Sequence, residues 1–201
     1  FPSAADLYLM MGIAEAELHG AAAAKPYVEH GIALSPQSAL GYNLLGNLSL
    51  RVGDYENALQ NYRKAEELAP KNGLYSYDVA LVLERMNRVS DAIPFAKKSI
   101  SLNPERDASH YLLGKLYSKS GDTAASIREL ETCVRLNPQA EASYYLLART
   151  YKQLGKQESA EEWNRKLSQL KEKKNQRVGL MGPASESLDI QNAPLPWDRI
   201  R

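Results

Sequence analysis

Residues 107–138 read DASHYLLGKLYSKSGDTAASIRELETCVRLNP, and the proline that closes this stretch decides the fold because it recurs at one fixed spacing. Pro2, Pro36, Pro70, Pro104 and Pro138 are each 34 residues apart, so half of the ten prolines fall on a single period. Aligned on those prolines, the units share a large or aromatic residue, then an apolar one, then a small one. The sets are Tyr8, Met11, Gly12; Tyr42, Leu45, Gly46; His110, Leu113, Gly114; and Tyr144, Leu147, Ala148, with a looser Ser76, Val79, Ala80 in the third unit. Twelve residues after each small residue stands another, Ala24, Ala58, Ala92, Ser126 or Ala160. Between the two halves, Gly53-Asp54, Asn87-Arg88, Gly121-Asp122 and Gly155-Lys156 mostly supply the Gly or Asn that a helix C-terminus uses for a left-handed residue. Each unit is therefore expected to be two helices joined by a tight turn.

The period and the residue pattern resemble the tetratricopeptide repeat, with its W-x2-L-G-x2-Y, A, F, P signature, over residues 3–171. The resemblance implies an all-α, right-handed superhelical solenoid of antiparallel helix pairs. Its five repeats would lie at about 3–36, 37–70, 71–104, 105–138 and 139–173, so that residues 1–173 form the array and 174–201 a tail or linker containing Pro and Gly. Two departures stand out: the Trp at the first aromatic position is missing, and Glu15, Ser49 and Leu83 occupy the place where Tyr117 and Tyr151 keep the signature.

In chain order, Ser3 is a candidate N-cap for a helix to about Leu18, with Leu7, Met10, Met11, Ala14 and Leu18 at helical spacing. Further helices are predicted near Ala21–Leu34, Ala39–Arg51, Tyr55–Leu68, Gly73–Met86, Ser90–Leu102, Asp107–Lys119 and Thr123–Leu136, and the fifth unit runs from Glu141 to about Lys173. Pro26 and Pro94 are expected to make their helices begin late or fray in the first turn, since proline is tolerated where N–H groups lack intrahelical partners. Asp54 and Asp122 sit where a carboxylate caps a helix. The last unit is polar along its second helix, as an outermost unit is, because nothing stacks on it. Cys133 aligns with Gly31, Ala65 and Ser99, which predicts a small buried packing residue, and Trp163 is read as packing on the last turn.

A formal net charge of +1 on 201 residues, with no Lys/Arg block, argues against a nucleic-acid partner, and no apolar run approaches a membrane span. One cysteine and three scattered histidines lack metal-ligand spacing, and no phosphate-binding or nucleophile motif is present, so neither a cofactor nor an enzymatic activity is expected. Pro2 holds the closing position of a unit otherwise absent and the chain starts at Phe1, so the natural protein is expected to extend further N-terminally.

The resemblance further implies that the first helix of each unit lines a concave groove. On that register the candidate binding residues are Asn43, Asn47, Arg51, Tyr77, Leu81, Arg85, Tyr111, Lys115, Tyr145 and Arg149, with Leu9 and Ile13 in the first unit and Glu84, Lys119 and Lys152 further along the same face. Each Tyr has Leu81, Lys115 or Arg149 one turn away on the same face, while the Asn pair offers amides to a peptide backbone. The two-carboxylate clamp of chaperone-binding relatives and the asparagine ladder of sugar-transferase relatives are both missing. The expected function is a non-catalytic protein-interaction module or scaffold binding an acidic or apolar peptide or protein partner in the groove. The alternative is an accessory region of a larger enzyme or secretion-linked protein. The tail, with Glu186 and Asp189 among apolar residues, is expected to be able to dock in cis on the same groove.

Overall fold

A computed structural model describes residues 2–180. Among them the chain forms ten helices: α1 (Ala4–Leu18), α2 (Ala21–Leu34), α3 (Ala39–Arg51), α4 (Tyr55–Leu68), α5 (Gly73–Arg85), α6 (Val89–Leu102), α7 (Asp107–Ser120), α8 (Thr123–Leu136), α9 (Glu141–Gln153) and α10 (Gln157–Leu180). Each odd-numbered helix packs most extensively on the helix that follows it, and each even-numbered one next on the helix that opens the following unit. The result is a solenoid of five helix pairs in which every unit meets only its neighbours.

Local chemistry sets the boundaries. Ser3 and Asp6 form a reciprocal capping box at α1, Asp54 accepts from Asn57 N–H and Asp122 from Ala125 N–H. Gly53, Asn87, Gly121 and Gly155 all have positive φ, 58° at the asparagine, and so turn the chain between the two helices of a pair. The prolines behave otherwise than the sequence predicts: α2 and α6 start on time, with Pro26 and Pro94 inside them. Both are sixth in their helices, so the ring leaves the first turn untouched and removes a single bond to the carbonyl of Ala22 or Ser90. The first turns are held instead by Ala24 and Ala92, which are fully buried against the paired helix.

Close approach within a pair depends on the small residues, though the partner is a different one from that expected. A Cβ on Gly12 would meet the Val28 side chain, one on Gly46 the Tyr62 ring and one on Gly114 the Leu130 side chain, each within 2.7 Å. Ala24 and Ser126, the small partners read from the alignment, are met through their backbone carbonyls, and Ser126 Oγ donates to Gly114 O at 2.8 Å.

Three apolar clusters run along the axis. One joins Leu9, Ala24, Val28 and Leu48, a central one joins Tyr62, Val79, Val82, Leu83, Ala96 and Leu116, and a third joins Leu130, Leu146 and Leu147. The apolar residues whose spacing predicts α1 lie outside them: Leu7, Met10, Met11 and Leu18 are exposed, while Leu9 is buried between α2 and α3. This places Leu9 in the core rather than in a groove. The counterparts of Leu7, Met10 and Met11 in unit 4, Ser109, Leu112 and Leu113, are buried, because the second helix of the preceding unit lies against them. At the other end α10 continues through Leu180, past residue 173 where the repeat pattern ends. The expectation that the tail docks on the groove concerns residues 180–201, of which 181–201 lie outside the described residues.

Candidate functional site

Beyond sequential neighbours, direct helix contacts run α1–α3, α5–α7 and α7–α9. The first helices of the units are thus drawn together on one side of the stack, which makes that side the inside of the curve.

In its N-terminal half the polar groups of this wall are used internally. Tyr62 Oη donates to Asn47 Oδ1 at 2.8 Å, Asn47 Nδ2 to Asn43 Oδ1 at 3.4 Å, and Asn43 Nδ2 to Asp78 Oδ2 at 2.7 Å. Asn43 and Asp78 are both buried. The expectation that Asn43 and Asn47 present free amides to a peptide is therefore corrected: a buried carboxylate one unit on needs a donor, and the amides supply it in a chain. Burial pushes the Asp78 carboxyl from the ordinary 3.8 up to about 6, against the lowering pull of the Asn43 amide and Arg106. Arg51 donates to Glu17 at 3.1 Å, an exposed pair one unit apart.

The middle of the wall mixes packing with charge. Tyr77 and Leu81 are half-buried against the central cluster, and the Arg106 guanidinium lies 4.7 Å from the Tyr77 ring centre. Glu84 is buried, with its Oε1 accepting from Lys115 Nζ at 2.9 Å and Lys119 Nζ at 2.6 Å. Burial alone would push its carboxyl up, but the hydrogen bonds and charges of the two lysines outweigh burial and hold it below the ordinary value. Its Oε2 is buried without a hydrogen-bond partner. Lys115 is therefore not a bare groove cation as the sequence suggests, because it shares one carboxylate with Lys119.

The C-terminal half is open. Tyr145 is 59% exposed, Arg85 and Arg149 are exposed, and neither arginine joins an ion pair among the described residues. Tyr111 is half-buried, with burial pushing its phenol up. Between α7 and α9 lies a cleft of about 270 Å³ whose walls include Tyr111, Lys115, Lys119, Tyr145 and Arg149. The structure thus brings together Tyr111, Lys115, Tyr145 and Arg149 from the expected set. It sets Asn43, Asn47 and Arg51 apart from them and gives Tyr77 and Leu81 a packing role. Glu84 is the organising group: the repeat register puts it on this wall, but not its pairing with the two lysines, for which the readable signal was opposite charge at Glu84 and Lys119, one repeat plus one residue apart.

His110 and Cys133 serve the interior. The His110 ring bridges Glu129 at 2.7 Å and the Pro104 carbonyl at 2.9 Å, and Ser143 Oγ donates to the buried Cys133 Sγ at 3.1 Å. Among the described residues no cluster of His, Cys, Asp and Glu is placed to hold a metal ion, and no helix is long and apolar enough to cross a membrane.

Comparison with known proteins bears on this architecture. Residues 39–72 match the tetratricopeptide repeat, and residues 85–163 match the family described as anaphase-promoting complex, cyclosome, subunit 3. Stress-induced-phosphoprotein 1 of Caenorhabditis elegans is 28% identical over 85 residues, 42% of this chain and 27% of that protein. The TPR repeat-containing thioredoxin TTL4 of Arabidopsis thaliana is 30% identical over 77 residues, 38% of this chain and 11% of that protein. The matched stretches are thus minor parts of both relatives. Among solved structures, MamA from Desulfovibrio magneticus RS-1 superposes with a TM-score of 0.78 at 20% identity, covering 84% of this chain and 96% of that one. YrrB, described as a TPR protein with an unusual peptide-binding site, does so with 0.70 at 18% identity, covering 81% and 84%. At these identities the likeness is one of fold.

Proposed function

The chain belongs to the tetratricopeptide-repeat family, and from that premise we propose that it is a non-catalytic interaction scaffold that binds a peptide segment of a partner protein on the concave side of units 3 to 5. The observation that carries this reading is Tyr145, left 59% exposed beside the cleft that Lys115, Lys119 and Arg149 frame. A large ring held in water on the inner wall contributes little to the fold, and Tyr and Arg are the residue types enriched at binding hot spots. Lys115 and Lys119 share the single carboxylate of Glu84, and Arg85 and Arg149 join no ion pair among the described residues, an excess of cationic donors that favours an acidic and apolar segment. The internal use of Asn43, Asn47 and Arg51 supports a contact on the C-terminal half rather than along the whole groove.

Peptide-display selection on the full chain tests this. Selected peptides should lose affinity by about tenfold or more on Tyr145→Ala, as truncation of an aromatic anchor does. They should weaken as salt is raised and bind unchanged to Lys64→Ala on the second helix of unit 2. Peptides that bind Tyr145→Ala as well as the parent chain would place recognition elsewhere and sink the reading. The small share of the curated relatives that is matched favours a wider second reading, an accessory module that brings a partner to a larger protein. Under it, Tyr145→Ala lowers delivery of the partner and leaves the larger protein's own reaction intact.

A further inference from the structure

The cleft between α7 and α9 presents donors and no acid, and we propose that it holds one phosphorylated side chain of the bound peptide, with Lys115, Lys119 and Arg149 around the phosphate. The inference rests on the peptide-groove reading and specifies the ligand of that same site. Its walls carry two ammonium groups, one guanidinium, the phenols of Tyr111 and Tyr145 and the Ser118 hydroxyl, and no carboxylate lines it among the described residues.

Glu84 stands behind this surface. One of its oxygens holds both ammoniums, 2.9 and 2.6 Å away, so the two cations lie within a few ångströms of each other while a single buried charge offsets them. That triad is left with one positive charge, and Arg149, which has no ion-pair partner among the described residues, brings the cleft to two. A phosphate monoester, carrying about −1.5 to −2 at neutral pH and three acceptor oxygens, balances both the charge and the excess of donors. A carboxylate leaves one cation uncompensated and offers one oxygen fewer. At about 270 Å³ the cleft admits one side chain rather than a helix, and its lysines are already ordered by Glu84, so less rotamer freedom is lost on binding.

The test uses the immobilised full chain and three degenerate nonapeptide pools with a fixed central phosphoserine, glutamate or serine, at one ionic strength. The phosphoserine pool should be retained about tenfold over the serine pool, and clearly over the glutamate pool, from the added charge-assisted bonds. Arg149→Gln should bring its retention down toward that of the serine pool. So should Lys119→Gln, which leaves Lys115 on Glu84 and so spares the fold; circular dichroism checks that both variants remain helical. Equal retention of the glutamate and phosphoserine pools would make this a carboxylate site and overturn the phosphate assignment. Equal retention of all three would remove the anion site while leaving the groove, and retention of none would count against the groove itself. Phosphoserine retention that survives both substitutions would also overturn the proposal.

Discussion

At Asp78 the repeat register places a carboxylate where units 2, 4 and 5 carry Leu44, Leu112 and Leu146, and burial pushes its carboxyl up to about 6. Arg106 faces it from the loop before α7, Tyr62 from α4, and Tyr75 and Tyr77 flank it on α5. The folded state therefore binds this proton more tightly than the unfolded chain does. The stabilisation is fully present below the ordinary 3.8 and is lost as pH rises through about 6. At about 1.4 kcal/mol per pH unit, the contribution lost is on the order of 3 kcal/mol. Asp78→Asn keeps an acceptor for the Asn43 amide and removes the charge, so it should raise the melting temperature at pH 7.5 and flatten its dependence on pH between 5 and 7.5. A lower melting temperature at pH 7.5 would show that Arg106 stabilises the ionised form more than burial opposes it. Glu84 acts in the opposite sense, because its carboxyl is held low and its stability contribution is lost only at more acid pH.

At the scale of the element, α1 shows how helical spacing and burial part company at the end of a stack. In its exposed row, Leu7, Met10 and Met11 hold positions that later units cover with a preceding second helix, whereas Leu9 reaches between α2 and α3. Leu9→Ala should cost about 2–5 kcal/mol in urea unfolding, as buried leucines do. Met10→Gln, on the exposed row, should stay within about 0.5 kcal/mol of the parent chain. Comparable losses at both positions would mean that the two faces of α1 are assigned the wrong way round. The prolines belong to this scale as well: Pro26 and Pro94 read as making their helices begin late or fray in the first turn, but burial of Ala24 and Ala92 against the paired helix holds each first turn in place.

For the whole molecule, separate clusters along the axis imply stability that is summed from neighbour contacts rather than shared equally. Leu147→Ala, in the C-terminal cluster, should speed amide exchange in α8, α9 and α10 while α3 and α4 keep their protection. Leu83→Ala, in the central cluster that joins units 2, 3 and 4, should loosen the stack on both sides. A uniform rise in exchange after Leu147→Ala would show one cooperative unit instead. The same one-dimensional build accommodates the candidate site, since a cleft between α7 and α9 with Glu84 of α5 behind it needs only three successive units.

Period, turn chemistry and caps are local properties, and for that reason the prolines at 34-residue spacing, the Gly and Asn turns and the Asp caps made the helix pairs and their stacking legible from the chain alone. The same register placed Tyr111, Lys115, Tyr145 and Arg149 on one wall. What it could not show was which polar groups on that wall already had partners. Asn43 reaches Asp78 and Lys119 reaches Glu84 across 35 residues, and such pairings depend on the angle and distance between neighbouring units. Those are set by close packing of buried side chains in three dimensions, so only the tertiary structure separated the internally satisfied half of the groove from the half left open.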